Sequence, residues 1–96
     1  MKTQLEFLKE AVALAEADPD LEIIVGVASD EVCEDSFWSK QQIIKVEKVL
    51  SWTRDENIFT GLKDIMEEME YFLDRQVTEE EILKQSKEVI MIYTNA

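Results

Sequence analysis

The chain has 96 residues, 46% of them hydrophobic, with 22 acidic against 10 basic side chains and a net charge of -12. That length suits one compact domain, 1-96, with a single core, and the acidity excludes direct binding to nucleic acid or to an anionic membrane surface, both of which require a basic face. There is no histidine, which removes His-based triads and the commonest zinc ligand together.

Residues 3-17 read as the first helix. Thr3 and Glu6 spell a T-x-x-E capping box, in which each side chain satisfies a free backbone N–H. Leu5, Leu8, Ala11, Val12 and Ala15 follow at helical spacing as the core-facing set. Asp18-Pro19-Asp20 stops the helix, because the residue before proline is pushed out of the helical region. The opening MKTQLEFLKEAV places a glutamate and a second lysine where a signal peptide needs an unbroken apolar stretch. No apolar run approaches the roughly 18 to 20 residues of a membrane span, so a soluble, cytoplasmic chain is expected.

LEIIVGVAS, residues 21-29, is a short apolar run rich in β-branched side chains, expected to be a central strand covered on both faces. Gly26 within it marks a bulge or a close backbone approach.

Residues 29-42 combine turn formers, acids and two large aromatics without a period, and read as a loop. Loops of this length in compact domains are often functional. Asp30, Glu31, Glu34 and Asp35 have the composition of a hard-cation site but lack the glycine and ligand ladder of an EF-hand, so no dedicated metal and no cofactor is expected. Phe37 and Trp38 beside those acids have the composition of an interface, or of a lid over the core. Cys33 is the one cysteine. It forms no internal disulfide, which suits a reducing compartment, and its carboxylate neighbours raise a thiol pKa instead of activating it.

IIKVEKVLSW, residues 43-52, alternates in part, with Ile44, Val46, Leu50 and Trp52 on one face. The turn formers Thr53 to Asn57 then lead to a short return strand, Ile58-Phe59-Thr60, giving a hairpin.

From Thr60 to Lys87 come two acidic helices. Leu62, Ile65, Met66, Met69, Phe72 and Leu73 form a core-facing stripe. Thr60 is the expected cap, Gln76-Val77 the end, and Thr78/Glu81 a second T-x-x-E box, after which Ile82 and Leu83 turn inward. Asp64, Glu67, Glu68, Glu70 and Asp74 face water, and Glu79 and Glu80 lie at the positive end of the second helix dipole. Residues 89-94, VIMIYT, form a last buried strand. The order α-β-β-β-α-α-β predicts an α+β fold, a sheet of three to four strands with helices packed on it.

A set of 22 acids yields carboxylate pairs by chance, and there is no glycine loop or phosphate cradle to hold an anionic substrate. A metal-assisted hydrolase is therefore the weakest reading and a non-enzyme the expectation. Asp64/Glu68 and Glu70/Asp74 are like-charge pairs at i, i+4, each costing about 0.2–0.5 kcal/mol in an isolated helix, which favours selection for negative potential over simple solubility. One row of carboxylates, about 5–6 Å apart, is too sparse to imitate duplex DNA with its charge about every 1.7 Å. Recognition of a basic surface thus calls for the helix acids, Glu79 and Glu80, and the 30-38 loop together. The other class left open is an assembly module that self-associates through an edge strand or the hairpin, giving a homodimer.

The pattern resembles the small acidic accessory proteins of bacteriophages and prophages, the anti-restriction and anti-CRISPR proteins among them. The likeness lies in size and acidity and in four segments: Asp18 to Leu21 (D-P-D-L), Ile44 to Glu47 (I-K-V-E), Thr78 to Glu81 (T-E-E-E) and Val89 to Tyr93 (V-I-M-I-Y). What the resemblance implies is a non-enzymatic inhibitor in the host cytoplasm that occupies a basic, nucleic-acid-binding surface of a host defence complex.

Overall fold

A computed structural model of the chain describes residues 2-27 and 41-95. Its elements are α1 (Gln4–Ala17), β1 (Glu22–Val27), β2 (Gln42–Arg54), β3 (Asn57–Thr60), α2 (Leu62–Leu73), α3 (Glu79–Gln85) and β4 (Lys87–Asn95). This is an α+β fold in the order α-β-β-β-α-α-β, with a mixed four-stranded sheet ordered β1-β4-β2-β3. β2 and β3 form an antiparallel hairpin in which Ser51 faces Thr60 and Arg54 faces Asn57. Asp55 in its turn takes φ 56, a left-handed value that Asp tolerates better than most residues. The Tyr93 hydroxyl reaches Glu47, and the Ser51 hydroxyl reaches the Lys87 carbonyl. Low numbers of one strand thus meet high numbers of the other, so β2 and β4 run antiparallel. No helix among the described residues is long and apolar enough to cross a membrane.

The chain divides into two compact units, Met1–Lys48 with Ile90–Ala96, and Val49–Val89. In the first, the Thr3 hydroxyl accepts the Glu6 N–H at 3.2 Å while the Glu6 carboxylate accepts the Thr3 N–H at 3.4 Å. The expected capping box is complete. The core of this unit is Ala11, Val46 and Ile90, with Phe7, Leu14, Ala15, Leu21, Ile43 and Ile92 packed around them.

The stripe α1 buries is therefore Phe7-Ala11-Leu14-Ala15, while Leu5, Leu8 and Val12 are exposed. This corrects the expectation from spacing. Two overlapping apolar stripes satisfy the helical period, and the carboxamide of Gln4 selects between them: it donates to the Ile43 carbonyl at 2.9 Å and accepts the Ile43 N–H at 2.7 Å. A clamp on both backbone groups of one residue fixes the rotation of α1 about its axis, and Gln4 lies on the Phe7 side of the wheel.

A second correction concerns β1, which is an edge strand and not a central one. Ile23, Val25 and Val27 are 51%, 59% and 41% exposed. Gly26 is crowded by a side chain and not by a neighbouring backbone: a Cβ there would lie 2.6 Å from the Met91 Cε, with the nearest backbone atom, the Ile92 carbonyl oxygen, at 3.9 Å. The Thr94 hydroxyl donates to the Gly26 carbonyl at 2.9 Å.

The second unit is built on Ile65, Met69, Val77 and Ile82, surrounded by Leu50, Trp52, Phe59 and Met66. Trp52 and Phe59, cross-strand partners, hold their rings 5.9 Å apart, within the range of favourable aromatic pairs.

Candidate functional site

The feature with most to offer a partner is the outer surface of α2. The helix starts at Gly61, not at Thr60: Gly61 takes φ 86, no side chain caps the end, its N–H donates to the Leu50 carbonyl at 2.9 Å, and its own carbonyl accepts the Ile65 N–H. It ends at Asp74 rather than at Gln76-Val77, because Asp74 turns into the left-handed region at φ 54.

Ile65 and Met69 are fully buried and point the opposite face outward. Met66 packs against the same core, and at about 100° per residue the positions farthest from Ile65, Met66 and Met69 are Asp64, Glu67 and Tyr71, one continuous stripe. Tyr71 is 81% exposed, with Glu67 one turn and Asp64 two turns before it and Asp74 just after. Asp64, Glu67 and Asp74 make no ion pair or side-chain hydrogen bond among the described residues. Lys63 forms no bridge to Glu67.

Leu62, Phe72 and Leu73, expected to face the core, are exposed, Phe72 by 56%. The space beneath α2 is filled by Val77 and Ile82. Phe72 instead lies under Arg54, whose guanidinium carbon is 4.6 Å from the ring centroid, a favourable cation–π distance.

Several acids of the array hold the unit together. Glu68 receives Arg54 Nη2 at 3.0 Å. Glu70 accepts the Val77 N–H at 3.2 Å, fixing the link into α3. Both like-charge pairs are thereby relieved: Glu68 of the first is neutralised by Arg54, and Asp74 of the second has left the helix.

On α3, the Thr78 hydroxyl accepts the Glu81 N–H at 3.2 Å. The return half of the second T-x-x-E box does not form, because Arg75 takes the Glu81 carboxylate with two bonds, 2.7 and 3.2 Å. The hydrogen bond from Arg75 holds the Glu81 carboxyl below its ordinary value and raises Arg75 in return. Glu79 and Glu80 are exposed in the first turn, with Lys84 3.7 Å from Glu80. Ile82 is buried as expected, whereas Leu83 is exposed.

The structure thus gathers Asp64, Glu67, Glu68, Glu70, Asp74, Glu79 and Glu80 in the unit Val49–Val89 and leaves Asp64, Glu67, Asp74 and Glu79 uncommitted. Asp30, Glu31, Glu34, Asp35, Phe37 and Trp38 lie outside the described residues. Tyr71 was not singled out from sequence. Its signal was its place on the wheel, seven residues after Asp64 and four after Glu67, on the polar face.

A second feature of this unit is an open hollow of about 290 Å3 lined by Ser51, Trp52, Thr53, Gln85, Ser86 and Lys87. Ser51 is buried and donates to the Lys87 carbonyl at 3.2 Å, and the buried Ser86 hydroxyl has no partner among the described residues. No acid or histidine lines the hollow to activate either serine. No group of three Asp, Glu or Cys among the described residues is placed to hold a metal ion. Comparison with protein-family profiles, with curated proteins and with solved structures finds no match.

Proposed function

We propose that this chain is a non-enzymatic binding protein that docks on a basic, nucleic-acid-binding surface of a host defence complex, in the manner of a small phage-encoded inhibitor. The supporting observation is the α2 stripe. Asp64 and Glu67 are exposed without a cation, and a highly exposed Tyr71 sits between them and Asp74. A large exposed aromatic among carboxylates combines a rigid anchor with a field that steers arginine- and lysine-rich partners. Glu79, also uncommitted, adds to the negative potential of the same unit.

Capture from a bacterial lysate on the immobilised protein, with duplex DNA as competitor, tests this. The expected result is a nucleic-acid-binding protein that DNA displaces and that the double variant Asp64→Lys/Glu67→Lys fails to retain. Equal retention by that variant sinks the proposal. So does an affinity that stays flat from roughly 50 to 500 mM salt, over which the Debye length shrinks severalfold.

A further inference from the structure

The two edges of the sheet are protected unequally. Native edges are usually blunted by shortness, lysine, proline or an inward charge. β3 is four residues long, whereas β1 is six, EIIVGV, with one charge at its first position and no lysine or proline inside. Its alternation sends Ile23, Val25 and Val27 to one face, and all three are exposed. Gly26, held against Met91, belongs to the other face.

We propose that β1 is a self-association edge whose occupant is a second copy of this chain, paired antiparallel about a two-fold axis through Val25. Directly opposed residues of an antiparallel pair share a face, so in a two-fold pair the opposed residue numbers must sum to an even value. A sum of 48 sets Val27 against Leu21, which precedes β1 and is packed into the core of its own unit, and a sum of 52 sets Ile23 against a serine, so each leaves one of the three without an exposed apolar mate. A sum of 50 sets Val25 against Val25 of the second copy and Ile23 against Val27 in both directions, so all three side chains gain β-branched cross-strand partners.

Charge favours this occupant over a basic one. Residues 23-27 carry no carboxylate for a cation to meet, and for a chain of net charge -12 a second copy needs an uncharged meeting line. In this register the two Glu22 side chains stand six residue steps apart, roughly 20 Å at the strand rise, beyond the Debye length of about 8 Å at physiological salt. This pairing is independent of the α2 stripe and holds whether or not that stripe binds a basic partner.

Cysteine cross-linking in a Cys33→Ser background tests the register. Opposed Cα atoms of antiparallel strands lie about 4.5–5.5 Å apart, within disulfide range. Val25→Cys is expected to oxidise to a covalent dimer by itself. Ile23→Cys and Val27→Cys are expected to cross-link only when mixed with each other. Sedimentation of the unmodified protein should show a mass rising with concentration toward twice 11.2 kDa, and Val25→Lys, at an exposed position, should remain monomeric with an unchanged circular dichroism spectrum. A monomer at every concentration up to about 1 mM, the limit of weak association, overturns the proposal. So does a dimer indifferent to Val25→Lys, or one that Val27→Cys cross-links alone.

Discussion

Arg54 and Glu68 meet at 3.0 Å, tying the end of β2 to the middle of α2. Both side chains are about a quarter exposed, at 27% and 28%, and the guanidinium also covers Phe72. Partial burial strengthens the attraction but also costs hydration, so the pair is taken at the worth of a surface bridge, about 0–1 kcal/mol, and the Phe72 contact adds about 0.5–1 kcal/mol. Arg54→Ala is therefore expected to lower unfolding stability by up to about 2 kcal/mol and Glu68→Ala by less, since Glu68 has no ring beneath it. Urea unfolding of the two variants and their double mutant measures the coupling, and strictly additive losses would show that the bridge contributes nothing.

Acid should weaken the fold through two carboxylates. At Glu47 burial alone would raise the pKa, but hydrogen bonds from Lys45 and Tyr93, with the Lys45 charge, outweigh it and the net shift is downward. Glu81 is lowered chiefly by Arg75. A carboxyl depressed in the folded state contributes stability that is fully present above its unfolded pKa and is lost as pH falls through the folded value. Protonating the remaining acids acts in the opposite sense, by relieving the repulsion of a -12 chain. The diagnostic is therefore a difference: between pH 5 and pH 3, Tm should fall less for Glu47→Gln than for the unmodified protein. Parallel curves would remove Glu47 from the acid response.

Neighbouring residues on α3 should respond in opposite ways. Ile82 is fully buried against Ile65 and Met69, whereas Leu83 is exposed. Ile82→Ala deletes core volume in a small cluster and should cost about 2–5 kcal/mol. Leu83→Ala should stay within about 0.5 kcal/mol. Thermal melts of the two variants check the phase of the helix, and comparable losses would mean that it is wrong.

The class and order of the elements were legible because local signals decide them: capping residues, Pro19, the β-branched runs and the period of α2. What spacing left open was settled by partners distant in sequence. Thr3-x-x-Glu6 and Thr78-x-x-Glu81 are the same motif, yet only the first closes its box, because Arg75 outcompetes a backbone N–H for Glu81. Two stripes of α1 fit one period, and Gln4 holding Ile43 chooses. The apolar run of β1 reads as a buried strand, but the number of neighbours a strand has is a property of the sheet. Of the acids read as facing water, Asp64, Glu67, Asp74, Glu79 and Glu80 are exposed, whereas Glu68 and Glu70 are half-buried. Which of them are committed was not legible, since Arg54 lies 14 residues before Glu68.

Gly26 offers a graded test of packing. A Cβ at 2.6 Å from Met91 Cε forces movement, but that atom is the tip of a flexible side chain, so Gly26→Ala should cost no more than about 1 kcal/mol as Met91 shifts rotamer. Gly26→Val adds two methyl groups where one already crowds, and overpacking of this kind costs about 1–3 kcal/mol. Urea midpoints for the pair should therefore separate. Equal midpoints would show room beside Met91 that the structure does not have.

The docking proposed for the α2 stripe assigns it two physical roles that separate by kinetics and salt. Asp64 and Glu67 act at long range, so Asp64→Asn/Glu67→Gln should slow association with the captured partner and flatten its salt dependence while leaving dissociation nearly unchanged. Tyr71 acts only on contact. Tyr71→Ala should speed dissociation, by tenfold or more if the ring is a central anchor costing at least about 2 kcal/mol, and leave the salt slope alone. Stability should not move in either case, since all three side chains lie on the face of α2 turned away from Ile65 and Met69. Surface plasmon resonance across a salt series reads both quantities. If Tyr71→Ala changes neither rate, the tyrosine is only a solvent-exposed side chain and the docking face lies elsewhere.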